Sequence, residues 1–168
     1  NDKHLAYNWA DAKHIYDTAV KMKIPFMAGS SLPVTWRLPA TVLPPGSVIE
    51  EALGIGYGGL ESYGFHALET FQCLTERRRG GETGVAAVQA IRGKQIWQSQ
   101  QAGRWSKELL QAALAAAQIK VTDQQLKTRL DQSAFYLIDY RDGLQGTVAM
   151  INGAGAQFGI ALKLRGQT

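Results

Sequence analysis

Apolar residues near the start of the chain recur with a helical period. Ala12, Ile15, Tyr16, Ala19 and Met22 share one face of a helix that Asn8 can cap, with Asp11 three residues behind the cap as in a capping box. That pattern runs to about Lys23. Ile24 to Ala28 is then a short unbroken apolar run ending in Gly29-Ser30-Ser31, the pattern of a buried strand that delivers a loop at its carboxyl end. Helix and strand together predict the αβ half of a parallel βαβ unit, with Asn1 to Leu5 as the end of the preceding strand, and so a partner sheet upstream.

The pattern then breaks. Pro33, Pro39, Pro44 and Pro45 crowd into 13 positions with few helix signals, which predicts a linker and a domain boundary. Val48 to Ile55 reads as a strand with Ile49, Leu53 and Ile55 on one face, although Glu51 shares that face. The glycines at 54, 56, 58 and 59 lead into a helix expected from about Glu61 to Arg79, stopped by Gly80-Gly81. Val85 to Ile91, rich in Val and Ala between Gly84 and Gly93, predicts a strand. Leu109, Leu110, Ala113, Leu114 and Ala117 mark a further helix, and Thr122 can cap another through Leu126 and Leu130. Beyond Gln132 the texture changes. Phe135 to Tyr140, Thr147 to Ile151 and Phe158 to Leu164, separated by Arg141-Asp142-Gly143 and Asn152-Gly153-Ala154-Gly155, predict an antiparallel three-strand meander.

Composition narrows the class. The chain has 168 residues, 45% of them apolar, with a net charge of +4. That suits a folded core and not a disordered segment. The single cysteine, Cys73, excludes an internal disulfide, and three scattered histidines make a structural metal an unfavoured reading. No apolar run approaches the roughly 18 residues of a membrane span, so the expectation is a cytoplasmic protein with no membrane partner. The densest basic run, Arg77-Arg78-Arg79, falls at an expected helix end, where it offsets the helix dipole; nucleic acid is therefore not an expected partner.

Three constellations carry possible chemistry. Gly54-Ile55-Gly56-Tyr57-Gly58-Gly59 satisfies the dinucleotide pattern GxGxxG, but the strand before it holds Glu50 and Glu51, whereas the first strand of a nucleotide-binding fold is almost wholly apolar. Lys3-His4 stands at the expected carboxyl end of a parallel strand, where open α/β sheets bind ligands, and a Lys there can donate a proton or hold a substrate oxygen. His66 stands one turn into the helix after the glycines, with Tyr63 three residues before it and Glu69 three after; periodicity leaves it open between a structural and a catalytic histidine.

Asn1-Asp2-Lys3-His4-Leu5, a helix, and Ile24-Pro25-Phe26-Met27-Ala28-Gly29 resemble the segment of the Gfo/Idh/MocA oxidoreductases that carries a Glu-Lys-Pro-Leu motif. Gly58-Gly59-Leu60-Glu61-Ser62-Tyr63-Gly64-Phe65-His66-Ala67-Leu68-Glu69 is similar to that family's helix motif, glycines followed by Leu-x-Asp-x-Gly-x-His-x-x-Asp. The closing strands with Tyr140-Arg141-Asp142-Gly143 also resemble the family's second domain. The resemblance implies an α/β protein in two parts. Residues 1–33 would be the last αβ unit of a Rossmann domain, and residues 34–168 an α+β domain, a mainly antiparallel sheet backed by helices and cut short at its carboxyl end.

The activity implied for the intact protein is NAD- or NADP-dependent oxidation or reduction of a sugar, polyol or related hydroxy compound. By the same resemblance Lys3 contacts both substrate and nicotinamide, and His66 is the acid or base. Asp2 stands for the motif Glu, His4 for its Pro, Ser62 for the Asp that partners the histidine, and Glu69 for the later Asp. Trp36 and Arg37, which could wall and anchor a polar ligand, join Ser62 and Tyr63 as the expected substrate-binding set. The family's phosphate-binding turn would lie before Asn1, so the 168-residue piece is expected to be inactive and to bind no cofactor alone, and a homo-oligomer is expected through the second-domain sheet. A non-catalytic ligand-binding or assembly protein on the same fold is the alternative, favoured by Ser62 and His4.

Overall fold

Strand β1 (Ile49–Gly56) is buried along most of its length because it lies inside a sheet, between a parallel and an antiparallel neighbour. The structure, a computed structural model, describes residues 3–166. Its sheet has five strands, with β2 (Val85–Arg92), β3 (Ala134–Tyr140), β4 (Gln145–Met150) and β5 (Gly159–Leu164) joining β1 in the order β2-β3-β4-β1-β5. β1 and β4 run parallel; the other three pairings are antiparallel. The protein is thus mixed α/β with a mixed sheet.

Side chains alternate across a strand, so the inner strands feed two cores. Leu53, Ile55, Phe135, Leu137 and Ala149 face three helices, α3 (Lys94–Gln101), α4 (Lys107–Ala116) and α5 (Asp123–Leu130), and bury Ile96, Leu110 and Leu130. Ala52, Ile138, Val148 and Met150 face the other way, onto Ala67 and Phe71 of α2 (Phe65–Thr75). Here the glycines of the sheet earn their place by being small. A Cβ on Gly146 would stand 2.8 Å from Cζ of Phe71, and one on Gly56 would stand 2.9 Å from Cβ of Ala67. The absent methyls let α2 lie close enough to the sheet to position what it carries on its opposite face.

Several local readings meet the structure directly. Asn8 accepts a hydrogen bond from the Asp11 amide at the start of α1 (Trp9–Lys21), and Thr122 and Gln125 form a reciprocal capping box on α5. Others are corrected. Ile24 to Ala28 is not a strand, and neither is any residue from Lys3 to Leu5. An isolated strand leaves its ladder groups unpaired, and no described strand lies beside this segment. The long helix begins as a π-helical turn (Leu60–Gly64) and ends at Thr75, four residues short of Arg79. Helix α3 was not expected at all.

The meander is also wrong. β3 and β4 form a hairpin around the Arg141-Asp142-Gly143 turn, but the chain then crosses past β1 to reach β5, which pairs with β1 and not with β4. Turn residues mark where a strand ends, not which strand it will pair with. Asn152, read as a hairpin-turn residue, instead accepts the Gly58 amide hydrogen at 2.7 Å.

The segment from Ser30 to Leu43 is tied to α2 and to the turn that follows it. From amino to carboxyl end, Ser30 meets His66, Arg37 donates to Cys73 Sγ at 3.3 Å, and Arg77 Nε donates to the Leu43 carbonyl at 2.9 Å. Leu43 anchors the far end in the core. In contrast α1 buries only Ala19, leaving Ile15, Tyr16, Val20 and Met22 exposed together with Ile24, Phe26 and Met27 beyond it.

Arg78 is sealed inside the protein. Its guanidinium donates to Asp142 at 2.7 Å, to the Thr75 carbonyl at 2.8 Å and to Thr83 at 2.7 Å, and its Cζ stands 4.6 Å from the centre of the Tyr140 ring. The basic run therefore staples the end of α2 to the β3–β4 turn, and its middle charge is not on the surface. Among the described residues no helix is long and apolar enough to cross a membrane.

Candidate functional site

Lys3 and His66 converge. Nζ of Lys3 lies 2.6 Å from Nε2 of His66, although the two residues are 63 positions apart. The helix start places His66 by local means: Gly58, with φ of +81°, lets the chain turn beneath Tyr63, and the π-helical turn sets the first residues of α2. Tyr63 and Phe65 then flank the imidazole edge-on, with ring centres 6.1 and 5.9 Å away. His66 is 9% exposed, yet neither apolar core includes it; Lys3 and Ser30 meet its ring nitrogens from the other end of the chain.

The other ring nitrogen meets a residue that sequence reasoning missed. Nδ1 of His66 lies 2.6 Å from Oγ of Ser30, and the same Oγ accepts the Leu32 amide hydrogen at 3.1 Å. Ser30 follows Gly29, whose φ is +146°; a Cβ on Gly29 would stand 3.1 Å from Oε2 of Glu69. Glu69, one turn after His66, also faces the Ser30 amide at 3.5 Å. The available signal was the position itself: a serine just after a glycine, at the end of an apolar run, in the loop where an α/β sheet would present ligand contacts.

The remaining expected residues are scattered. Trp36 is 98% exposed and walls nothing. Arg37 reaches Cys73, two turns beyond His66 on α2 and so roughly 10 Å along its axis. Ser62 turns away, its hydroxyl donating to the Gly59 carbonyl at 3.3 Å. Tyr63 does stay beside His66 and also packs on Tyr57 at 5.0 Å. His4 sits against Tyr7 and Phe65. Asp2 lies outside the described residues.

The glycine motif does not fit a dinucleotide. The space above Gly54 and Gly56 is filled by Phe71, Ala67 and Met150 of the protein's own core, and the Gly58 amide is taken by Asn152. No pyrophosphate cradle is left there. No group of three or more His, Cys, Asp or Glu side chains among the described residues could hold a metal ion.

Two surface concavities lie elsewhere. One of about 380 Å³ is lined by Ser47, Glu50, Arg78, Arg79, Asp142 and Arg165, and another of about 490 Å³ by Gln125, Arg129, Asn152 and their neighbours. In the first, Arg78 and Asp142 neutralise each other and Arg165 pairs with Glu50 at 3.3 Å, so most of its charges are already spent on one another. The meeting of Lys3, His66, Ser30 and Glu69 from distant parts of the chain is the stronger mark of a site. Near the start of α2, burial pushes the Tyr136 hydroxyl up, against the opposing charge of Arg92. No protein-family model, curated protein or solved structure matches the chain significantly.

Proposed function

We propose that the chain is part of an NAD(P)-dependent oxidoreductase of the Gfo/Idh/MocA type, acting on a sugar, polyol or related hydroxy compound in the cytoplasm. The observation that supports this is the 2.6 Å contact between Lys3, which the resemblance sets against substrate and nicotinamide, and His66, which it makes the acid or base. The nicotinamide, when bound, supplies the hydride exchange; moving the hydroxyl proton falls to the protein. No nitrogen-to-nitrogen gap remains for a substrate atom, so the two act in series. Lys3 hands a proton to Nε2 of His66 and takes one from the substrate hydroxyl, and its further N–H donors hold the substrate oxygen. The dinucleotide phosphates are held by a part of the protein other than the Gly54 to Gly59 motif.

Self-association belongs to the same reading. β2 is a sheet edge whose residues are exposed except Ile91, with Val88 61% exposed, and an apolar edge strand invites pairing. A second reading, a ligand-binding protein without catalysis, is favoured by one observation: Ser62 puts its hydroxyl on Gly59 and offers His66 no charge.

The test is turnover of the protein translated from its full reading frame, with NADH, NADPH and their oxidised forms, on a panel of sugars and polyols. Lys3→Ala and His66→Ala should each lower turnover by roughly 10²-fold or more with dinucleotide binding nearly unchanged. Normal turnover in both variants would leave the non-catalytic reading standing.

A further inference from the structure

The arrangement around His66 fixes more than the position of the ring. An ammonium carries only donors, so where Lys3 faces Nε2 at 2.6 Å the imidazole must present its lone pair, and the ring proton of the neutral form resides on Nδ1. That proton needs an acceptor, because the ring is buried and an unmatched buried N–H is costly. Oγ of Ser30 is 2.6 Å away. It already accepts the Leu32 amide hydrogen, and a hydroxyl has a second lone pair with which to accept Nδ1–H.

We propose that Ser30 is the positioning residue of His66: its hydroxyl accepts Nδ1–H and thereby keeps Nε2 as the basic nitrogen turned to Lys3. This rests on the oxidoreductase reading for its purpose, since a relay from substrate through Lys3 needs an Nε2 that can receive a proton. Nothing else on α2 does this work. Glu69 lies against the Ser30 amide and Gly29, and Tyr63 meets the ring edge, so among the described residues the charged and titratable neighbours of the pair include Lys3, Glu69, Tyr63 and His4 near Phe65. Where the family motif would supply a carboxylate from the helix, this chain supplies a neutral acceptor from the preceding loop. Gly29 is what allows that loop its course, through a φ that L side chains rarely adopt.

Nitrogen-15 spectra of the His66 ring in the 168-residue chain test this without cofactor or substrate. At a pH where the ring is neutral, the unaltered chain should show one tautomer, protonated at Nδ1. Ser30→Ala should give a mixture of tautomers or an exchange-broadened ring, and Ser30→Thr should restore the single form. In the turning-over protein, Ser30→Ala should lower kcat about tenfold with KM little changed, and Ser30→Thr should recover most of it. A proton on Nε2 in the unaltered chain would overturn the proposal whether or not any variant folds, and so would identical ring spectra in the unaltered chain and Ser30→Ala. Failure of the oxidoreductase reading shows separately, as absent turnover beside an unchanged Nδ1–H signal.

Discussion

Asp142→Asn removes one charge and almost no volume, which isolates what the carboxylate does for Arg78. The Arg78 side chain is 2% exposed and that of Asp142 27%. Burial, the largest influence on Asp142, pushes its carboxyl up, but hydrogen bonds from Arg78 and the Leu144 amide, with the Arg78 charge, outweigh it and hold the carboxyl below its ordinary range. Stripping the partner from a buried cation costs about 3–5 kcal/mol in the severe case. Here Thr75, Thr83 and the Tyr140 ring still attend the guanidinium, and Asp142 keeps part of its surface in water. A loss of about 2 kcal/mol is therefore expected at neutral pH, or roughly 4–8 °C in melting temperature for a chain of this size.

The pH dependence has a fixed sign. A carboxyl held low in the folded state binds protons more readily once unfolded, so its contribution is complete above the unfolded value and fades as pH falls through the folded one. Denaturant titrations of the parent and the Asp142→Asn chain should differ at pH 7 and converge toward pH 2. Equal stability within about 0.5 kcal/mol at pH 7 would refute the ion-pair argument. A gap that persists unchanged in acid would mean that shape, not charge, carries the effect.

Gly146→Ala places a methyl against Phe71 and Tyr140 and should cost about 1–3 kcal/mol; in a Phe71→Leu background the cost should shrink, and additive losses in the double-mutant cycle would count against the close packing of α2 on the sheet. Trp36→Ala should change stability by no more than about 0.5 kcal/mol and leave turnover untouched, and a large fall in either would restore Trp36 to the site.

The elements with strong local signals were legible. Asn8 and Thr122 cap helices because a side-chain oxygen needs only the amide a few residues on, and α4 follows its apolar stripe from Leu109 to Ala117 with little reference to the rest of the chain. The strand at Ile24 to Ala28 failed for the complementary reason: apolar texture is shared by buried strands and by exposed extended chain, and only a hydrogen-bonding neighbour separates them. Helix α3 has mainly polar residues around the buried Ile96, so its stripe is too thin to read.

From its sequence alone this protein has its mixed α/β class, its capped helices, the hairpin turn at Asp142-Gly143, and the candidacy of Lys3 and His66. Tertiary structure alone put β1 between β4 and β5, because strand pairing is a contact between segments distant in the chain that no turn residue specifies. It also closed 63 positions to 2.6 Å and brought Ser30 to the far side of the same ring. Likewise it turned Arg78 from a surface charge into a buried staple, since burial depends on what folds over a residue and not on the residue itself.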